Sequence, residues 1–378
     1  MTTIKAIIGC NYGDEGKGRM TDYFAYMAAK PCIVVCTNGG AQRGHTVITD
    51  EGFQHIFHHF GSGTLAGADT YLPKEYIVNP MIFMQEYREL RNYNFQVYMS
   101  WDCLCSTPYD MMINQIIEEA RGMHKHGSCG VGIWETILRN GATVGDMIRM
   151  SHDKMYDYLK GVRDSYFANR IKNKKIEISN AWRSIYFSEQ LIENYIRDFN
   201  AMVRKVKFNT DIVLKKYKTV LFENGQGLLL DQNVEDSEHS TPSNTTSYNI
   251  KRIIDDVFDD VDYDFEVCYV TRSYLTRHGN GELLSQIDLP EWIHSEVETN
   301  VWNKNQGEFR YGELDINEAV ARAQKDFLQY WGCDKTYMSI AVTHIDEYSD
   351  YWWRSSLCNI KNYTSFSARR SLVSESNY

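Results

Sequence analysis

Gly9-Cys10-Asn11-Tyr12-Gly13-Asp14-Glu15-Gly16-Lys17-Gly18-Arg19 lies between an apolar run, Ala6-Ile7-Ile8, and a stretch of helical composition, MTDYFAYMAAK at 20–30. Glycines between a strand and a helix let backbone N–H groups converge on phosphate oxygens, and the helix N-terminus adds a favourable dipole. Lys17 supplies a point charge. The spacing is not that of a Walker A loop, which needs Gly where this chain has Asn11 and Ser or Thr where it has Gly18. Two carboxylates, Asp14 and Glu15, stand in the middle of this anion cradle, where a phosphate would repel them.

The pattern around the segment indicates the fold. Strand-like runs occur at Ile4–Ile8, Cys32–Cys36, Gln96–Met99, Val220–Phe222, Phe265–Thr271 and Tyr337–Val342. Helix-like runs occur at Met20–Lys30, Pro80–Arg91, Tyr109–His124, Val144–Leu159, Ser188–Val206 and Asn317–Trp331. Short apolar strands alternating with helices predict an α/β protein with a largely parallel central sheet flanked by helices, a P-loop-like nucleotide-binding fold. We expect residues 1–378 to form a single domain, with 160–187 and 231–249 as inserted subdomains. A second glycine-rich segment, NGGAQRGHT at 38–46, follows the strand Cys32–Cys36. Loops after successive parallel strands share one sheet edge, so His45 is expected to face Asp14 across a crevice, as an acid–base pair over bound phosphate.

Composition narrows the partners. A net charge of -10 argues against a nucleic-acid binder and a basic membrane surface, while leaving room for a small anionic substrate. No signal peptide is evident, nor an apolar run long enough to span a membrane. Nine cysteines without CxxC spacing argue against a zinc ribbon and for a reduced, cytoplasmic setting. His55-Ile56-Phe57-His58-His59 reads as a half-buried strand rather than a metal cluster, Trp352-Trp353 as buried aromatics, and Arg369-Arg370 as a solvated tail.

GDEGKGR at 13–19 followed by GGAQRGHT at 39–46 resembles the paired signature of the adenylosuccinate synthetase family. Further segments are similar in the same order: HHFGSGTL at 58–65, GSCGVGIWETILRNGATVGDM at 127–147, FENGQGLLLD at 222–231, STPSNTTS at 240–247 and YLTRHGNGEL at 274–283. GEFRYGELD at 307–315 and VTHID at 342–346 match more weakly. The resemblance implies a ligase that joins L-aspartate to C6 of a 6-oxopurine nucleotide, driven by a nucleoside triphosphate and Mg²⁺, in a homodimer.

It also implies roles. Asp14 would be the base at purine N1, His45 the acid or electrostatic partner, and Gln226 would orient the purine. Gly13, Glu15, Gly16, Lys17, Gly18, Gly44 and Thr46 would hold the triphosphate, with Asp14 and the Gly44 carbonyl as Mg²⁺ ligands. Gln42, Ser128, Cys129, Gly130, Thr241, His278 and Gly279 would surround the acceptor nucleotide. Arg139 would reach across a dimer interface to the acceptor phosphate of the neighbouring subunit. Arg310 would hold the aspartate carboxylate, and His344 and Asp346 the donor base. The shortened NKNQGEFRYGELD lacks an arginine that family members place near the ribose 2′-hydroxyl, and His344 stands in place of their Lys. Both departures resemble the viral 2-aminoadenylosuccinate synthetases, which use dGMP and ATP and would act in a host cytoplasm. Retained Asp14 points back to the ordinary enzyme for IMP and GTP. A non-catalytic nucleotide-binding homologue is the reading of another class.

Overall fold

The computed structural model describes residues 1–122, 125–234, 239–283, 285–288, 306–332, 336–347, 356–358 and 360–376, with the single positions 293, 298, 300 and 302. Ten strands form one sheet: β1 (Thr2–Gly9), β2 (Cys32–Cys36), β3 (Asp69–Leu72), β4 (Val97–Met99), β5 (Val206–Phe208), β6 (Thr219–Gly227), β7 (Tyr263–Arg272), β8 (Thr336–Thr343), β9 (Lys361–Ser365) and β10 (Val373–Ser376). Their order is β10-β9-β8-β7-β1-β6-β2-β3-β4-β5. Every neighbouring pair is parallel except β9–β10. Parallel strands covered on both faces read as continuous apolar runs, and CIVVC of β2 is buried at all five positions. β1 lies near the centre with β6 and β7 on either side, so the chain reverses direction of travel across the sheet there. In open α/β sheets ligands bind outside the carboxyl ends of strands at such a switch point.

The six expected strands and six expected helical regions are present, with altered limits. The region 144–159 is two helices, Val144–Ile148 and His152–Gly161. Ser151 starts the second by accepting a hydrogen bond from the Lys154 N–H, a local cap that periodicity does not reveal. Thr107 and Asp110 form a capping box that begins the helix Pro108–Arg121. The polar excursion 160–187 is helical: a π-helical turn at Val162–Phe167, then Ala168–Asn173 and Asn180–Tyr186. It packs Phe167, Ile171 and Tyr186 against the Pro108–Arg121 helix, in a cluster continuous with one face of the central sheet.

Three expectations set beside the main reading meet different fates. Arg370 is not solvated: it is buried and donates to Asp22 of helix α1 (Lys17–Met27) at 3.1 Å, fastening β9 and β10 to the sheet. His55 and His59 are buried around the carboxylate of Glu86, which also accepts the backbone N–H groups of His58 and His59. Trp352-Trp353 lies outside the described residues. Among the described residues, no helix is long and apolar enough to cross a membrane.

Candidate functional site

The opening segment leaves β1 and enters α1. Gly16 caps the helix with φ 90°, a left-handed conformation that glycine adopts without a Cβ clash. Gly18 permits close approach of two elements, because a Cβ there would stand 2.9 Å from the His45 Cβ. Glu15 turns inward. One carboxylate oxygen accepts the N–H groups of Asn11 and Gly13, each at 2.9 Å, and the other accepts from Lys17 Nζ at 2.8 Å. It lines neither of the two cavities described below. Glu15 therefore braces the loop.

Asp14 turns the other way. Two cavities, one larger than the other, open at the carboxyl edge of the sheet. The smaller is lined by Gly13, Asp14, Gly16, Lys17, Gly18, Gly44, His45, Thr46, His344 and Asp346, which brings the expected triphosphate and donor-base residues together. The larger is lined by Gln42, Ser128, Cys129, Gln226, Thr241 and His278, along with Asp14, Gly44 and His45. Gly13, Asp14, Gly44 and His45 belong to both walls. Burial raises the Asp14 carboxyl above its ordinary range, against the pull of His278, Arg272 and Lys17. That suits a base, which works best with a pKa near the working pH.

His45 begins the strand His45–Ile48 and is held from behind. Its Nδ1 lies 2.9 Å from a Glu223 oxygen, and the other oxygen of Glu223 accepts from Arg43 at 2.5 Å and from the Ser62 N–H at 3.2 Å. Arg43 and Glu223 are fully buried. Burial works against the Glu223 charge, but His45 and Arg43 outweigh it and hold the carboxyl well below the usual range. Burial pushes the His45 imidazole down to about 4, opposed by Glu223 and assisted by Arg43. With Nδ1 committed to Glu223, Nε2 is the nitrogen left for a ligand.

Gln226 is projected by an irregularity. β6 pairs Glu223 with Ile7 and Gly227 with Gly9, so four residues of β6 run against two of β1. Such bulges re-aim side chains. Gln226 sits in the bulge with φ 56°, and the Asn38 side-chain amide pins it by bonding both the N–H and the carbonyl of Gly225. The Oε1 of Gln226, both amide atoms of Gln42 and the Nε2 of His278 are buried without a partner. Buried polar groups are normally bonded, and all three side chains line the larger cavity. A planar ligand with donors and acceptors on its edge fits them.

The remaining expectations divide. Ser128 accepts from Asn114 at 2.7 Å, and the Cys129 thiol lies 3.7 Å from the Gln42 carbonyl oxygen. Gly130 turns this loop with φ 73°. Gly279 does not line the cavity; it packs against Gly127, where a Cβ would come within 2.9 Å of the opposing Cα. Arg139 is engaged within its own chain. Its Nε and Nη2 donate to the two oxygens of buried Asp110 at 2.9 and 2.8 Å, its Nη1 meets Tyr158, and it lines neither cavity. Arg310 is likewise occupied, donating to the carbonyls of Gly279 and Gly281 and to Gln286 at 2.8–2.9 Å.

Sequence reading passed over Arg43, Glu223, Arg272, Arg277, Arg170 and Lys174. Glu223 carried a usable signal, since a charge inside an apolar central strand must be paired. Arg272 ends β7, donates to the Asp14 carbonyl and to Glu298 (2.8 Å), and lines the smaller cavity. Arg277 stacks over Tyr12 at 4.6 Å and lines the larger one.

Comparison with known proteins bears on this arrangement. The family model described as adenylosuccinate synthetase matches residues 6–320. The adenylosuccinate synthetase of Borrelia duttonii is 29% identical over 256 residues, covering 65% of this chain and 56% of that protein. That of Chlorobium limicola is 29% identical over 305 residues, covering 75% and 65%. The match thus spans less than two thirds of the length of these curated relatives. Among solved structures, fully ligated adenylosuccinate synthetase from Plasmodium falciparum superposes with a TM-score of 0.69 at 18% identity, covering 99% of this chain and 87% of that one. The succinoaminodeoxyadenylate synthetase of cyanophage S-2L, bound to dGMP and dATP, gives 0.64 at 15% identity, covering 99% and 95%. Both share the α/β fold described above.

Proposed function

The chain belongs to the adenylosuccinate synthetase family, and on that premise we propose that it is a ligase joining the α-amine of L-aspartate to C6 of a 6-oxopurine nucleotide, with dGMP as acceptor and ATP as donor. The shared wall carries the reading: Asp14 and His45 face both cavities at once. A triphosphate in the smaller cavity and a purine in the larger would meet there. Asp14 would take the N1 proton, O6 would attack the γ-phosphorus, and the nucleoside diphosphate would leave. The amine of aspartate would then displace phosphate from C6. His45, oriented by Glu223, would take up a proton at Nε2 as the phosphate charge arrives and donate from it to the transferring group. A pure nucleotide-binding homologue has no need of a base at that junction.

Mg²⁺ fits the donor set. The Asp14 carboxylate and the Gly44 carbonyl are hard oxygen ligands on the shared wall and would hold it, where it would offset phosphate charge. The choice of dGMP rests on the shortened segment at 303–315, which lacks the arginine that family members place near the ribose 2′-hydroxyl. It agrees with the ligand of the cyanophage relative. One observation favours the second reading, IMP with GTP: Asp346 lines the donor cavity and can accept from guanine N1 and N2. A cytoplasmic homodimer is the assembly the family implies.

The test crosses dGMP, GMP and IMP against ATP and GTP in the presence of Mg²⁺ and aspartate, following phosphate release and the succinyl product. Turnover with dGMP and ATP is expected. Turnover confined to IMP and GTP would replace the first reading by the second, and no aspartate-dependent product in any combination would remove both.

A further inference from the structure

A nucleoside triphosphate is the most highly charged ligand of the proposed reaction, and the smaller cavity must offset that charge. Lys17, the expected point charge, gives two of its three N–H groups to the Gly13 carbonyl and to Glu15. Arg19 donates to Ser365 at 3.1 Å. A third cation on the lining, Arg272, is placed by the sheet itself.

Arg272 ends β7 opposite Thr343 of β8, and on the other side of β7 the last residue of β1, Gly9, pairs with Val270. The side chain therefore starts between the glycine-rich segment and His344. It is buried, and its guanidinium lies 5.5 Å from the ring centroids of both Tyr274 and Phe309. Nε donates to the Asp14 carbonyl, and Nη1 donates to the Tyr274 hydroxyl at 2.9 Å and to Glu298 at 2.8 Å. Tyr274 is held in turn by its own bond to Glu347. A guanidinium has five N–H groups in one plane. The three on Nε and Nη1 are committed and fix that plane, while the two on Nη2 meet no acceptor among the described residues. Glu298 engages Nη1 alone, so the ion pair orients the fork without covering Nη2. Arg272 shares the cavity wall with Asp14, Lys17 and His45. Buried donors are normally bonded; a fork fixed on two edges and unmet on the third suits an oxygen-rich anion.

We propose that Arg272 is a catalytic residue, an arginine supplied within the chain whose Nη2 donates to the γ-phosphoryl group as it passes from the donor to purine O6. The proposal rests on the ligase reading above. In that step the bond from O6 to phosphorus forms, the bond to the bridging oxygen breaks, and its electron pair leaves with the nucleoside diphosphate. Arg272 stays protonated throughout and gives its two open N–H donors to the non-bridging oxygens, over which the charge is spread. Because Nε also holds the Asp14 carbonyl, one side chain sets the base and the phosphoryl group against each other. Tyr274 and Glu298 act as positioning residues that fix its plane.

The test compares Arg272→Lys, Arg272→Gln and Tyr274→Phe with the wild-type full chain. Initial rates are followed with dGMP and ATP and with IMP and GTP. Binding of ADP and of β,γ-imido-ATP, and of their guanosine counterparts, is followed by calorimetry. Arg272→Lys keeps a cation against Glu298 but loses the fork, so kcat should fall about 10²-fold; Arg272→Gln should lose about 10³-fold or more. The KM for aspartate should stay within about threefold in both. Affinity for the imido triphosphate should fall about tenfold in either variant while that for the diphosphate stays within about threefold, a split that a loosened fold would not produce. Tyr274→Phe removes one bond to Nη1 and should lower kcat about three- to tenfold. A kcat within about threefold of wild type in Arg272→Lys would overturn the proposal. Equal losses for diphosphate and triphosphate would overturn it too, assigning Arg272 to the inner phosphates or the nucleoside. If Arg272→Gln does not fold, the Arg272→Lys comparison decides alone. If the wild type forms no aspartate-dependent product with either nucleotide pair, the ligase reading falls and takes this role with it; if the wild type and both arginine variants turn over alike, only the role of Arg272 falls.

Discussion

The two cavities are built differently. The smaller is made almost wholly of segments that leave β1, β2, β7 and β8 at one edge of the sheet, so backbone geometry places its side chains. The larger takes its near wall from the same edge but its far wall from insertions: 126–135, 170–174, 239–242 and 277–280. On the near side the charges stand on or beside strands of the central sheet, as with Glu223 of β6 holding His45 and Arg43. On the far side they stand on loops and short helices joined by ion pairs, as in Arg170–Glu135. A sheet edge fixes function through topology, and an insertion fixes it through whichever partners its charges find.

The shared wall is the place to break this comparison hardest. Asp14→Asn keeps the shape and removes the base, so product formation should fall about 10³-fold or more while both nucleotides still bind. Retained turnover with intact binding in equilibrium titrations would remove Asp14 from that role. Glu223→Gln acts one step behind. It leaves Arg43 buried without its counter-ion, and breaking such a pair costs about 3–5 kcal/mol. A lower melting temperature is therefore expected, together with a kcat loss of about 10²-fold as His45 loses its orientation. A variant that melts early yet turns over normally would show that Glu223 serves the core alone.

Away from both cavities the balance reverses. Arg139→Ala strands Asp110 inside the protein and should cost about 3 kcal/mol of stability in denaturant titration. The acceptor Kd, measured well below the melting temperature, should stay within about threefold. A selective loss of acceptor affinity at unchanged stability would return Arg139 to the phosphate.

Legibility in the sequence follows the same division. The glycines of 9–18 and the pair Asp14 and His45 were readable because turn chemistry and the parallel-strand rule act locally, whereas Gln226 rests on the resemblance of 222–231 alone. Glu15 was not separable from Asp14: two adjacent carboxylates in a turn look alike until one finds the Asn11 and Gly13 amides. β3, β5, β9 and β10 were missed because short strands carry little periodicity. Arg139 and Arg310 are assigned by resemblance alone, and within the single chain each meets acceptors that the sequence does not announce. Arg370 was misjudged for the converse reason, since nothing near it in sequence announces Asp22.

Cys129 gives the smallest and most discriminating exchange. It stands among the phosphate-facing groups with a thiol where a hydroxyl would bond better. Burial, reinforced by the charge of Asp14, pushes that thiol up to about 12. It is therefore neutral from pH 6 to 9 and adds no negative charge against the phosphate. Cys129→Thr replaces a weak donor by a good one, worth about 0.5–1.5 kcal/mol. Monophosphate affinity should rise about two- to tenfold, and by the same factor at pH 6 and pH 9. An advantage that grows with pH would mean that the native thiol ionises in that range and repels the ligand. No gain at any pH would mean that the side chain at 129 points away from the phosphate, and that the loop binds through Ser128 and backbone N–H groups alone.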